Sequence, residues 1–180
     1  MFRILESLAT VLPPTIQQLD ITTNDLGLRP KAILPLTQIT TLRLAFHGST
    51  LMTEALAARI ADMWIPIISS ATSLKTLYLG FVQDESQLCF PYDFLPHILA
   101  NQCWPRLKAF KVSMARVNSA TFEDFLIKHR ATLTTFNAKG VCRTETELMH
   151  FAHLLRERLA LKQCMLLIET FDDSPPVRAS

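Results

Sequence analysis

Three side chains that could bind a metal lie close together near residue 150. Glu147, His150 and His153 follow one another at intervals of three residues, with Cys142 nearby. Glu-x-x-His on one helix is half of a di-iron carboxylate motif. A second Glu-x-x-His is missing from the sequence, and a zinc site needs three or four convergent ligands. The pattern therefore predicts a partly exposed helix edge and no metal site.

Catalysis through an activated nucleophile or a phosphate-binding loop has no motif in this chain. The sequence contains no G-x-S-x-G elbow, no P-loop and no dinucleotide fingerprint. Asp124 and His129 are five residues apart, a spacing that does not bring them together on one helix face. His129 is expected in a last helical turn, where it favours the helix dipole. We predict no catalytic residues and no cofactor, with a small α/β enzyme whose cryptic site lies at the strand ends as an alternative.

Composition indicates one globular domain. The chain has 180 residues, of which 49% are hydrophobic and 19% charged, enough to bury a sizeable core. A net charge of +2 without a basic run argues against nucleic acid or an anionic membrane as the partner. The longest apolar stretches fall short of the ~20 residues of a membrane span. Four cysteines without a C-x-x-C pair are expected to be buried thiols, in a cytoplasmic or nuclear protein.

A short apolar phrase, L-x-x-L-x-L with L any apolar residue, occurs six times. In each phrase the last two apolar residues point to one side and the residue between them points to the other, which is the period of a β-strand and predicts a short strand. Helical patterns lie between phrases, so successive strands can run parallel with helices on one face. The phrases are spaced 23, 35, 33, 26 and 28 residues apart. Their middle residues are Leu19, Leu42, Leu77, Phe110, Phe136 and Cys164.

Helices are predicted between the phrases from capping residues and apolar spacing. Thr144 and Glu147 form a capping box ahead of an apolar face. A helix that begins at Ser49 or Thr50 is expected to end at Pro66. Shorter helices are expected near residues 94–104, where Pro96 interrupts the pattern, and after Ser119.

Stacked strand-helix units predict an α/β fold that is a leucine-rich-repeat-like solenoid. About six short parallel strands carry helices on the convex side, and the stacked units share one core. A single domain is expected over residues 1–170, followed by a flexible tail over residues 171–180. A doubly wound α/β domain is the competing fold, but no glycine-rich turn follows the first predicted strand.

The stretch WPRLKAFKVSMARVNSATFEDFLIKHRATLTTFNAKGV, residues 104–141, resembles the C-terminal leucine-rich region of fungal F-box-like proteins. There a strand of the type LPxLKxLxL precedes a helix of the type DLLxFLxxHxxTLxxLxL. LMHFAHLLRERLALKQCMLL, residues 148–167, resembles that family's closing helix and last strand. The resemblance implies a protein-protein interaction scaffold, the substrate-recognition part of a ubiquitin-ligase subunit. VLPPTIQQLDI from Val11 shares only its Leu-Pro step with the F-box opening LPxEIxxxIxxxL, so a Skp-type adaptor is expected only if an F-box lies outside this chain.

The exposed strand face is the predicted site for a protein partner. Its central row consists of the residues between the last two apolar positions of each phrase: Asp20, Arg43, Tyr78, Lys111, Asn137 and Met165. Neighbouring strands lie ~4.8 Å apart, so Arg43, Tyr78 and Lys111 would span about 10 Å and could hold a peptide carboxylate or an acidic loop. We predict Arg43, Tyr78, Lys111 and Asn137 as the partner-binding residues. A further alternative is a structural fragment of a longer repeat protein.

Overall fold

A computed structural model of the protein describes residues 16–23, 36–48, 62, 64–83, 94–100, 102–113, 119–141 and 144–167. The statements below concern these residues. The predicted tail over residues 171–180, the apolar stretch before the first strand and most of the helix expected from Ser49 or Thr50 lie outside them.

The described residues form six strands in one open parallel sheet. Each strand pairs with the next along the chain, in the order β1 to β6. This arrangement confirms the predicted α/β class and the six parallel strands. The strands are Gln18–Thr23 (β1), Thr41–Gly48 (β2), Thr76–Gln83 (β3), Ala109–Ser113 (β4), Thr135–Lys139 (β5) and Gln163–Leu167 (β6).

Helices pack against one face of the sheet. The helical segments are residues 64–69 (α1), Phe94–Leu99 (α2), Ser119–Lys128 (α3) and Glu145–Arg158 (α4). Trp64 of α1 lies edge-on to Phe46 of β2, with ring centroids 5.8 Å apart. Phe151 of α4 lies 5.8 Å from Phe136 of β5. The predicted cap of α4 is confirmed, because the Thr144 side chain accepts a hydrogen bond from the Glu147 N–H.

Pro66 does not end α1, contrary to the prediction. The helix continues to residue 69, and the Ser70 N–H bonds to the Pro66 carbonyl at 3.2 Å. Pro66 is exposed, whereas Ile67 and Ile68 are buried in the core. Burying these two side chains contributes roughly 1.5–3 kcal/mol each, which stabilises the helical turn that follows the proline.

A tight turn leads into the phrase and ends at its first apolar residue, as seen at β2 and β4. Before β2 the Ile39 N–H donates to the Leu36 carbonyl, and before β4 the Leu107 N–H donates to the Trp104 carbonyl, both at 3.0 Å. The first apolar residue of the phrase closes this turn and is buried in the core. The chain then enters the strand, where apolar residues alternate.

Each strand is joined to the next by one carbonyl that accepts two backbone N–H groups, an arrangement we call the two-amide link. The Gln17 carbonyl accepts from Thr40 and Thr41 at 2.8 and 3.0 Å. The Thr40 carbonyl accepts in the same way from the residues that open β3. The link recurs at the carbonyls of Lys75, Lys108 and Thr134. Equivalent residues of successive phrases are thereby held side by side.

Five phenylalanines form the core beneath β4 and β5. Phe110 lies 5.1 Å from Phe125 and 5.9 Å from Phe122, measured between ring centroids. Phe136 and Phe151 extend this cluster to α4. The core becomes thinner at β6, where Cys164 occupies the middle position. Cys164 and Cys103 are both exposed, so the prediction of buried thiols is wrong for the two cysteines within the described residues. Met165 and Leu167 of β6 are also exposed, at 47% and 46%.

His129 is buried and structural, which the sequence analysis did not predict. Its Nε2 accepts the Trp104 N–H at 3.0 Å, so its Nδ1 carries the proton and donates to the Phe125 carbonyl at 2.8 Å. Ser70 has the equivalent place in the chain, because it lies four residues before Leu74 just as His129 lies four residues before Leu133. Its hydroxyl accepts the Leu36 N–H and donates to the Ile67 carbonyl. Each side chain thus accepts a hydrogen bond from a backbone N–H of the preceding strand-helix unit, and buried backbone N–H groups need such an acceptor.

We expect acid to destabilise the fold through His129. Burial lowers the pKa of His129 below its ordinary 6.5, and the nearby Lys128 charge acts in the same direction, against the hydrogen bond to the Phe125 carbonyl. The unfolded chain therefore binds a proton more readily than the folded chain. Stability should fall as the pH drops through 6.5 and level off below the folded-state pKa. Urea unfolding at pH 7 and pH 5 measures this loss.

A His129→Gln variant should lose less stability than the wild type between these two pH values, because it lacks the titrating group. His153→Gln is the matched control, since His153 is an exposed helix residue, and it should keep most of the wild-type difference. An equal loss in the His129→Gln variant and the wild type would contradict the assignment.

Candidate protein-binding face

The sheet register brings the predicted binding residues into one row. Arg43 pairs with Tyr78, Tyr78 with Lys111, and Lys111 with Asn137. Asp20 and Met165 occupy the two ends of this row. The residues before and after the row in β2 to β5, such as Leu42 and Leu44, are buried. The row therefore lies on the sheet face opposite the helices.

Side chains of the row differ in how far they extend into solvent. Arg43 and Lys111 are exposed, whereas Tyr78 and Asn137 are half-buried. Long charged side chains therefore alternate with a less accessible aromatic ring and an amide. Arg43 and Lys111 therefore place two positive charges in solvent, and the less accessible Tyr78 and Asn137 lie beside them in the row.

Tyr78 lies flat across its own strand. A Cβ built on Gly80 would come within 2.7 Å of the Tyr78 Cε1 and hydroxyl oxygen, so the ring occupies the space that a side chain there would need. The Tyr78 hydroxyl forms a hydrogen bond with the Ser113 hydroxyl at 2.9 Å. Glycine at position 80 thus makes room for the ring, and Ser113 holds its outer end.

Arg43 lies over the Tyr78 ring. Its Cζ is 4.8 Å from the ring centroid, a cation–π contact that stabilises an exposed pair by about 0.5–1 kcal/mol. This contact uses the charge of the guanidinium and leaves its N–H donors for other partners. Arg43, Tyr78 and Ser113 form a preorganised unit across three strands, which we call the Arg-Tyr-Ser unit.

Among charged residues, basic side chains predominate in the strands and at the position just before each strand. Among the described residues, this part of the molecule contains six basic side chains and one acidic side chain, Asp20. Described acidic residues lie mainly on the helices, as in Glu123, Glu145 and Glu157. The basic set comprises Arg43, Lys75, Lys108, Lys111, Lys139 and Lys162.

The histidines and glutamates near residue 150 are paired separately. His150 Nε2 lies 3.6 Å from Glu123 Oε1, and His153 Nε2 lies 3.1 Å from Glu157 Oε1. No group of three or more metal-ligating side chains occurs within the described residues, and Cys142 lies outside them. None of the helices in the described ranges is long and apolar enough to cross a membrane.

The spacing of the phrases predicted the row of residues but not the contacts between their side chains. Gly80 and Ser113 lie two residues after Tyr78 and Lys111 in their strands. Glycine inside a strand pattern is a signal for close approach of another group, and here that group is the Tyr78 ring. This signal was available in the sequence, although the direction of the ring was not.

Comparisons of the chain with protein-family models, with curated proteins and with solved structures give no match in any of the three.

We expect Gly80→Ala to displace the Tyr78 ring while the fold is retained. The added methyl group occupies the place of the ring, and a ring at the end of a flexible side chain can move aside. The free energy of unfolding should fall by about 1 kcal/mol, the centre of the range for single substitutions. Side-chain protons of Arg43 should lose their ring-current shift in NMR spectra.

Two variants calibrate this experiment. Tyr78→Ala removes the ring and should give the same loss of ring-current shift. Ser113→Ala removes only the hydrogen bond to the Tyr78 hydroxyl and should retain most of the shift. Unchanged Arg43 shifts in Gly80→Ala would contradict the described packing.

Proposed function

We propose that this protein is a protein-protein interaction scaffold that captures its partner on the exposed strand face. In this proposal the parallel sheet is a leucine-rich-repeat-like solenoid, and its function resembles that of the substrate-recognition part of an F-box ubiquitin-ligase subunit. Arg43, Tyr78, Lys111 and Asn137 are the residues that contact the partner.

The observation that carries the proposal is the unbroken register of the row. Five successive pairings align one residue from each of six strands, so the row spans roughly 24 Å at ~4.8 Å per strand. An open surface of this kind suits a macromolecular partner, whereas a small molecule is usually held in a concave pocket. Arg and Tyr are the residue types enriched at binding hot spots.

The resemblance to fungal F-box-like proteins supports the ligase part of the proposal. The residues that carry the resemblance form β4, α3, β5, α4 and β6. Their aromatic positions, Phe110, Phe122 and Phe136, lie together in the core. The family pattern therefore corresponds to a continuous part of the structure that includes three strands of the sheet.

Partner capture from extracts of the source cells tests the proposed site. The immobilised chain should retain a protein that mass spectrometry identifies reproducibly. A Tyr78→Ala, Lys111→Ala double variant should lose this protein at least about tenfold, because hot-spot residues each cost more than ~1 kcal/mol when truncated. Circular dichroism checks that the double variant remains folded.

Arg156→Ala is the matched control for this capture experiment. Arg156 is exposed on α4, away from the strand face, so its removal should leave the captured protein unchanged. Equal capture by the double variant and the wild type would contradict the strand-face site. Recovery of Skp and cullin subunits would support the ligase role, and a captured partner without them would support a recognition scaffold alone.

A further inference from the structure

We infer that the partner presents to the strand face an extended segment with two acidic side chains about 10 Å apart. This inference rests on the proposed function and names the chemistry of its ligand. One carboxylate is held by Arg43, and the second is held by Lys111 together with the hydroxyl pair of Tyr78 and Ser113.

The size of the face favours a segment over a folded domain. Six strands of about five residues give roughly 24 Å by 17 Å, or about 400 Å². A stable interface between two folded proteins usually buries about 800 Å² on each partner. One extended stretch of polypeptide therefore fits the available surface better than a second globular surface does.

Charge segregation determines which kind of segment fits. The chain as a whole carries only +2, but six basic residues and one acidic residue of the described part lie on or next to the strands. Lys75 and Lys108 immediately precede the adjacent strands β3 and β4, and the Lys108 N–H bonds directly to the Lys75 carbonyl at 2.8 Å. Like charges on neighbouring parts of one face repel one another, and an acidic ligand relieves the repulsion.

The first anion position is Arg43. Stacking over Tyr78 holds the guanidinium against the sheet and restricts its rotamers before a ligand binds. Less conformational entropy is then lost on binding. A guanidinium fixed in this way can donate two parallel N–H groups to one carboxylate.

The second anion position combines a charge with a hydroxyl donor. Lys111 lies two residues before Ser113 on β4 and pairs with Tyr78 in the register. The hydroxyls of Tyr78 and Ser113 share one hydrogen bond. Two hydroxyls have two hydrogens, so one O–H of the pair still has its proton to donate. A carboxylate placed here receives an ammonium charge and an O–H donor.

The distance between these positions specifies the ligand. Arg43 and Lys111 are two strands apart, which is about 9.6 Å. A polyproline II segment rises ~3.1 Å per residue and has three residues per turn. Acidic residues at positions i and i+3 of such a segment are therefore about 9.3 Å apart and point to the same side, as the two anion positions require.

The row is less suited to single-stranded nucleic acid. Such sites repeat aromatic platforms so that successive bases can stack. Within the described residues the row contains one aromatic side chain, Tyr78, and it is already covered by Arg43. The negative charge of Asp20 at one end of the row also repels a phosphate backbone.

Fluorescence anisotropy with two labelled peptides tests the inference on the full chain. One proline-rich peptide has Glu at positions i and i+3, and the other is identical with Gln at both positions. The Glu peptide should bind at least about tenfold more tightly, and its affinity should fall as salt is added. Equal affinities, or no binding of the Glu peptide at about 1 mM, would overturn the inference.

Charge-neutral variants locate the two positions. Arg43→Gln and Lys111→Gln should each weaken binding of the Glu peptide about five- to tenfold and leave the Gln peptide unaffected, whereas Arg156→Gln on α4 should change neither. A uridine oligonucleotide that binds more tightly than the Glu peptide would overturn the inference in favour of RNA. In a third outcome, capture of the cellular partner is abolished by the Tyr78→Ala, Lys111→Ala double substitution and yet is unchanged by added salt and by Lys111→Glu. That result would overturn the acidic ligand and leave the proposed function standing.

Discussion

The two-amide link is the constraint on which the rest of the structure depends. One carbonyl accepts from two consecutive N–H groups of the next strand, and this arrangement repeats from the Gln17 carbonyl to the Thr134 carbonyl. A strand that slipped by one residue would turn its apolar side chains to solvent. The link and the buried alternation therefore enforce the same register. That register places Arg43, Tyr78 and Lys111 beside one another.

Helix-side contacts reinforce the same stacking from behind the sheet. Ser70 and His129 occupy equivalent places and each accepts a backbone N–H of the preceding unit. The Trp104 indole N–H reaches the Ile68 carbonyl at 3.2 Å. Because neighbouring units share these bonds, the outer face rests on a rigid support. The Arg-Tyr-Ser unit can then keep its geometry without a ligand.

Much of the fold could be predicted because its signals are local. Apolar alternation within five residues identified the strands, and the constant offset within each phrase aligned Leu42, Leu77 and Phe110. The cap at Thr144 was equally local. The row of candidate binding residues followed directly from the same alternation. The positions of the row could thus be predicted from the sequence, because each position follows from the apolar alternation within a single strand.

Features that depend on distant residues could not be predicted in this way. The pose of Tyr78 is set by Gly80 and by Ser113, which is 35 residues away. His129 is buried because Trp104, 25 residues earlier, offers an N–H that needs an acceptor. Pro66 remains helical because the residues after it enter the core. In each case a tertiary contact overrides the local preference of the residue.

The same local joining has a consequence for how such a chain can change over time. Each link connects only adjacent strands, and the separations of 23 to 35 residues between phrases leave it intact. Residues can therefore be inserted or deleted on the helical side without altering the strand face. Duplication of a whole unit would lengthen the row by one side chain, so the row could grow by small, nearly independent steps.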